Sequence, residues 1–284
     1  MRHGWGLYLQ LAVSQVVIMT PTFWLEFTIL FIAAFLGGLA IMPYSLKLLN
    51  SSTRSKPLKM SLPVMLLLSF LQTAILFAIV TGVGLLAAHA IGLGAPLLET
   101  ALTGAVSSQT VWTTIEIASL LGALAGALLL IADIFFLPYW PKPLLDTTLK
   151  TTAMDNFLAS FYGGINEELL MRLFGLSGLA WLLSFVFHTP AGTPTIAVLW
   201  IANIVLTIIF GLGHLPALKK TAGEISRIMF ARSLILNAPI GLLCGWLFWT
   251  YGIEAAIIAH FSADIVYHVF GTIVLRRKLD TRPL

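Results

Sequence analysis

Charge is what this sequence has least of. Only 10% of its 284 residues are Asp, Glu, Lys or Arg, against about 25% in a water-soluble globular chain. A soluble domain is thereby excluded, since 58% of the residues are hydrophobic and too little polar surface remains to cover them. Cysteine is almost absent too. With Cys244 alone, an intrachain disulfide framework and a multi-cysteine metal site are both ruled out; Cys244 itself, in apolar 241–249, is expected in the core. Strands of alternating period are missing, which removes a membrane β-barrel. No internal period marks a repeat architecture. No small-residue cleavage site follows the apolar stretch 5–19, so a cleaved signal peptide is not expected.

What the chain has instead is a series of apolar runs. They cover about 23–44, 62–91, 111–140, 157–187, 195–214, 228–249 and 253–275, each near or above the ~20 residues that cross a bilayer core. The stretch 5–19 is shorter and carries Gln10, Ser14 and Gln15; it reads as an interfacial helix or a marginal further crossing. The loops alternate in charge. Lys47, Arg54, Lys56 and Lys59, then Lys142 and Lys150, then Lys219, Lys220, Arg227 and Arg232, then Arg276, Arg277, Lys278 and Arg282 mark one side. The connections 94–107, 188–194 and 251–252 hold no Lys or Arg. By the positive-inside rule the basic loops and the C-terminus face the cytoplasm. The net charge of +4 thus reports topology, and no nucleic-acid partner is expected. The expected fold is all-α: a polytopic membrane bundle of seven or eight helices, an integral multi-pass protein of the cell membrane. Tyr139-Trp140 reads as an interfacial anchor.

Against this background one stretch stands out. Glu167, Glu168 and Arg172 lie inside the run 157–187, where each ionisable side chain costs roughly 2.5–3.5 kcal/mol to insert. On a helix Glu168 and Arg172 share a face at i, i+4 with the acid first, the favourable order for an ion pair. Glu167 points about 100° away and has no local partner. A buried ion pair holding two helices together explains Glu168 and Arg172 and leaves Glu167 unexplained.

Partners for a lone carboxylate have to come from other spans. Asn203, Thr207, Phe210 and His214 form one stripe, and His260, Asp264 and His268 form another. Taken singly, each histidine reads as a satisfied core residue. Stripes on separate spans of a charge-poor chain argue instead for a common wet cavity, opening toward the cytoplasmic half. Gly163-Gly164 is placed to kink the acidic helix and admit water. Glu with two His around such a cavity is a set for hydrolysis: the carboxylate takes a proton from water, and the histidines bind a metal, polarise the water or stabilise an oxyanion.

Glu167-Glu168-x-x-x-Arg172, Phe210-x-x-x-His214 and His260-x-x-x-Asp264 together resemble the three motifs of the CAAX-protease and bacteriocin-processing intramembrane endopeptidases. Their order and their placement on separate spans are similar as well, over roughly 155–269. The resemblance implies a peptide hydrolase in which Glu167 activates the attacking water and His214 and His260 complete the site. Relatives carry Asn or Asp at the last position of the third motif, here Asp264. The cofactor is left open by the motifs; no His-Glu-x-x-His helix is present, and a divalent metal such as zinc would take Glu167, His214 and His260 as ligands. The expected partners are the lipid bilayer and a membrane-associated or lipidated protein, or a bacteriocin-like peptide. Residues 151–284 are then the catalytic core, and 1–150 an accessory set of transmembrane helices.

Two other readings compete. Gly175-Leu176-Ser177-Gly178 fits the Gly-x-Ser-Gly pattern of rhomboid-like serine proteases, with Ser177 and His260 as a dyad; Gly and Ser also mark simple close packing of membrane helices. A proton-coupled transporter would use Glu26, Glu116 and Asp133 as further relay groups, but no paired halves of the inverted-repeat kind are visible.

Overall fold

The computed structural model describes residues 20–51 and 61–280. The stretch 5–19, Arg54, Lys56, Lys59 and Arg282 lie outside the described residues. The chain is all-helical in architecture. It runs through α1 (Pro21–Ala40), α2 (Met42–Ser51), α3 (Leu62–Ala90), α4 (Pro96–Leu102), α5 (Ser108–Phe136) and α6 (Lys142–Lys150). There follow α7 (153–184), α8 (Ile196–Gly213), α9 (Leu215–Ala222), α10 (Arg227–Tyr251) and α11 (253–280). Among the described residues, six helices are long and apolar enough to cross a membrane. The seventh crossing expected from sequence is α7, a continuous helical run with two π-helical stretches, Tyr162–Glu167 and Leu169–Leu176.

Helix starts follow from local chemistry. Thr20, Thr195 and Ser226 each accept a backbone N–H three residues on, at 3.2, 3.3 and 3.2 Å, satisfying a donor that the first turn leaves orphaned. Thr152 and Asp155 form a reciprocal capping box at the start of α7. Gly252, at φ +97°, turns α10 into α11, a conformation that only glycine adopts without strain.

The lateral packing is that of a membrane bundle. On α5, Leu120, Leu124 and Leu128 are more than half exposed, while Ala118, Gly122, Ala125 and Gly126 are buried on the other side. Small residues lie inside and large ones outside because lipid gives no hydrophobic drive, so tight backbone approach carries the packing. A Cβ at Gly122 would overlap the carbonyl oxygen of Ala259, and one at Gly126 would stand 2.5 Å from that of Ala263. One apolar cluster runs from Phe23 and Leu30 on α1 to Ala259 and Ala263 on α11, so the helices before and after residue 150 share a core. A second cluster, Leu137, Trp140, Leu218, Ala222 and Met229, ties α6 and α9 together at the basic end. Trp140 belongs to it. It is buried beneath Arg232, 4.9 Å from guanidinium to ring centroid, and the expected interfacial anchor is left to exposed Tyr139.

Candidate active site

The acidic helix α7 is built to be approached closely. Gly163 and Gly164 lie in its first π-helical stretch, both buried. A Cβ on Gly163 would overlap Asp264 Oδ2, and one on Gly164 would sit 3.0 Å from Phe261 Cβ. The glycines let α11 dock against α7, and Gly163 lines the cavity. A wide turn rotates the following side chains, and such turns recur at functional sites. A third one, Ile265–Phe270, follows Asp264 on α11.

The two adjacent glutamates take different surroundings. Glu168 is fully buried. Its Oε1 accepts from Arg172 Nη1 at 2.9 Å and from His260 Nδ1 at 2.5 Å. Arg172 Nη2 donates onward to the carbonyl of Gly241 on α10 at 2.9 Å, so one ion pair joins three helices. Glu167 faces a cavity of ≈ 380 Å³ with its side chain 25% exposed. Its Oε1 stands 4.0 Å from His214 Nε2 and its Oε2 3.9 Å from His260 Nε2.

Both imidazoles are held by their other nitrogen. His214 Nδ1 is 2.8 Å from the carbonyl of Phe210 and His260 Nδ1 is bound to the Glu168 carboxylate. Both partners can only accept, so each Nδ1 carries the proton and each Nε2 is left to the cavity. Asp264 Oδ1 lies 3.8 Å from His260 Nε2 and 3.7 Å from His268 Nε2. Glu167, His214, His260, Asp264 and His268 all line this cavity, which runs to Tyr44, Thr148 and Thr221 at the basic end of the bundle.

Other residues singled out from sequence lie elsewhere. Asn203 and Thr207 turn away from the cavity: Asn203 Nδ2 donates to Leu242 O at 3.0 Å, and Cβ atoms at Gly241 and Gly245 would run into Thr207 and Asn203. They lock α8 onto α10 because glycines there leave room. Ser177 is fully buried, donates to Arg172 O of its own helix at 3.3 Å and does not line the cavity; it forms no dyad with His260, whose Nδ1 is taken by Glu168. Glu116 is exposed, and Glu26 lies at the other end of the bundle. Asp133 forms a fork with Arg232 at 2.6 and 2.7 Å and accepts from Tyr267 Oη at 2.6 Å. Sequence reasoning took Arg232 as a loop marker. It reaches back to a buried carboxylate and forms part of the cavity wall, and the signal available was Asp133, an acid in an apolar run.

Two donor sets bear on a metal. Glu168, Cys244 and His260 bring ligand atoms within 4.8 Å of one another. Their donors are already spent: Glu168 and His260 bind each other, and Arg172 puts a positive charge on the same carboxylate. That set does not suit a cation. Glu167, His214 and His260 offer free oxygen and nitrogen atoms toward the cavity at 3.9–4.0 Å. Two donors on one tetrahedral zinc lie about 3.3 Å apart given bonds of ~2.0–2.1 Å; here a different oxygen of Glu167 faces each imidazole, so the three side chains would have to draw together to share an ion.

The fold and site define a polytopic helical membrane protein with a carboxylate and two imidazoles converging on an internal cavity. Residues 150–266 match the family model described as type II CAAX prenyl endopeptidase Rce1-like. That stretch, about two-fifths of the chain, is similar to the type II CAAX prenyl endopeptidases, which supports a place in the CAAX-protease family. No curated protein and no solved structure matches the chain.

Proposed function

We propose that this protein is an intramembrane endopeptidase whose base is Glu167. The observation that carries the reading is the division of labour between neighbours: Glu168 is consumed by Arg172 and His260 Nδ1, whereas Glu167 has no hydrogen bond among the described residues and stands between two imidazole Nε2 atoms at 4.0 and 3.9 Å. That spacing admits one water. Glu167 takes a proton from it as the oxygen attacks the scissile carbonyl carbon, with His214 Nε2 holding the water in line. His260, when protonated, donates from Nε2 to the oxyanion that forms. Asp264 orients His260 and His268. Glu167 then returns its proton to the leaving amine as the C–N bond breaks. Glu168 and Arg172 position His260 and touch no reacting atom. A divalent metal such as zinc, held by Glu167, His214 and His260, would supply polarisation of the same water.

The substrate class is a membrane-associated or lipidated protein, or a bacteriocin-like peptide, entering from the basic end, which we assign to the cytoplasmic face of the cell membrane. Helices before residue 150 serve as an accessory wall. The test is cleavage of a peptide panel, prenylated and unprenylated, with and without chelator, by purified protein. Glu167→Gln, His214→Ala and His260→Ala each lower cleavage by roughly 10²–10⁴ with folding retained. Full cleavage by all three variants would put the site elsewhere.

A further inference from the structure

We propose a second site, for a divalent cation of the zinc type, at the end of the bundle opposite the catalytic cavity. Its ligands are Glu26 on α1, His89 at the end of α3 and Glu99 on α4. His89 Nε2 lies 3.2 Å from Glu26 Oε2 and 3.1 Å from Glu99 Oε1, and the three ligand atoms form a mutually close group.

The separations alone would suit an ion triad. The hydrogen bonding argues otherwise. Glu26 is 1% exposed, yet neither of its carboxylate oxygens accepts a directed hydrogen bond, and His89 Nε2 is equally buried and unpartnered. The atoms lie at ion-pair distance without the alignment of a hydrogen bond, and one atom from each of the three residues lies within 4.8 Å of the others. Donors on one zinc stand about 3.3 Å apart, close to the 3.1 and 3.2 Å seen here.

Charge balance points the same way. Between Lys59 and Lys142 the sequence has no Lys or Arg, and among the described residues a single imidazole faces both carboxylates. Glu254, whose Oε1 accepts from Leu98 N at 2.8 Å, adds a further acid against α4. A buried carboxylate without a partner is costly, and a dication neutralises the Glu26–Glu99 pair outright. The group opens on a cleft also lined by Thr20, Thr103 and Thr114, which leaves a coordination position for water. Gly94 completes the cradle: a Cβ there would sit 3.0 Å from Glu99 Oε1 and 3.3 Å from His89 Nε2. Bound metal would clamp α4 and its loop onto α1 and α3. Two carboxylates and an imidazole select zinc over calcium, which prefers an all-oxygen shell.

The test uses full-length protein in detergent, stripped with chelator, in a His214→Ala background that disables metal binding at the catalytic cavity. Zinc chloride titrated into this protein binds at about one ion per chain and raises the unfolding midpoint; calcium chloride does neither. Glu99→Gln, at a half-exposed position that folds without it, weakens zinc binding at least about tenfold and removes the rise in midpoint; Glu26→Gln does the same if it folds. In the otherwise native chain Glu99→Gln leaves peptide cleavage unchanged. Failure to bind zinc at micromolar concentration, or zinc binding unaffected by Glu99→Gln, overturns the proposal.

Discussion

Changing Glu168 to Gln and Glu167 to Gln makes the same chemical edit at adjacent positions, and the structure assigns them opposite consequences. Glu168 is 0% and Arg172 2% exposed. Removing the carboxylate charge leaves Arg172 buried with a neutral acceptor, and breaking such a pair costs about 3–5 kcal/mol. For a chain of this size each kcal/mol moves the melting midpoint by roughly 2–4 °C, so Glu168→Gln lowers it by on the order of 10 °C. Cleavage falls as well, because His260 loses the carboxylate that fixes its Nδ1 proton. Glu167 is partly exposed to the cavity and makes no hydrogen bond among the described residues, so Glu167→Gln abolishes cleavage and shifts stability by no more than about 0.5 kcal/mol. The assay is thermal unfolding in detergent alongside peptide cleavage. Glu168→Gln combined with Arg172→Met separates the two effects: removing both charges recovers stability and leaves His260 unsupported, so the midpoint returns while cleavage does not. Equal midpoints for the two single variants would refute this division of roles.

Two further predictions rest on the packing of α7. Gly163→Ala drives a methyl into Asp264 Oδ2 and within 3.5 Å of His260 Nε2; it lowers kcat at least about tenfold by displacing those groups, which steady-state kinetics on folded protein will show. At the start of α7, burial alone would raise the Asp155 carboxyl, but the Lys47 ammonium, the Thr152 hydroxyl and the Thr152 N–H together hold it below the usual carboxylate value. A depressed folded pKa stabilises above the unfolded value of about 3.9 and is lost as pH falls through the folded one. Asp155→Asn is therefore less stable than the native chain at pH 7, and the gap closes as the pH is lowered past 3.9. A gap independent of pH would show that Asp155 acts by packing alone.

Much of the fold was legible because its signals are periodic or compositional. The apolar runs gave the spans. Of the site, Glu168 with Arg172 was legible as an i, i+4 pair, and Glu167 as the carboxylate left over. The rest depends on contacts that no local pattern carries. The wide turns of α7 have no residue signature, and the close approach of α11 to its glycines was not legible. Arg232 meets Asp133 across 99 positions, and in the sequence it is only one more basic residue after a span. Asn203 and Thr207 shared a stripe with His214, but Gly241 and Gly245 on another helix decided which way that stripe was used.

The ionisable residues inside this bundle fall into two groups by how their burial is compensated. Asp133 is matched by Arg232 and Tyr267, and Glu168 by Arg172 and His260; each carboxylate has directed donors, and each complex ties helices together. Glu167 and Glu26 have no such donors among the described residues. One faces two imidazoles across gaps of 4.0 and 3.9 Å, wide enough for a water. The other approaches an imidazole to 3.2 Å without a directed bond, close enough for a shared ion. Desolvating a carboxylate without a donor is costly, and a water or an ion from outside the chain offsets that cost. On the readings proposed above, the gap at Glu167 holds a water to be activated and the contact at Glu26 holds a cation.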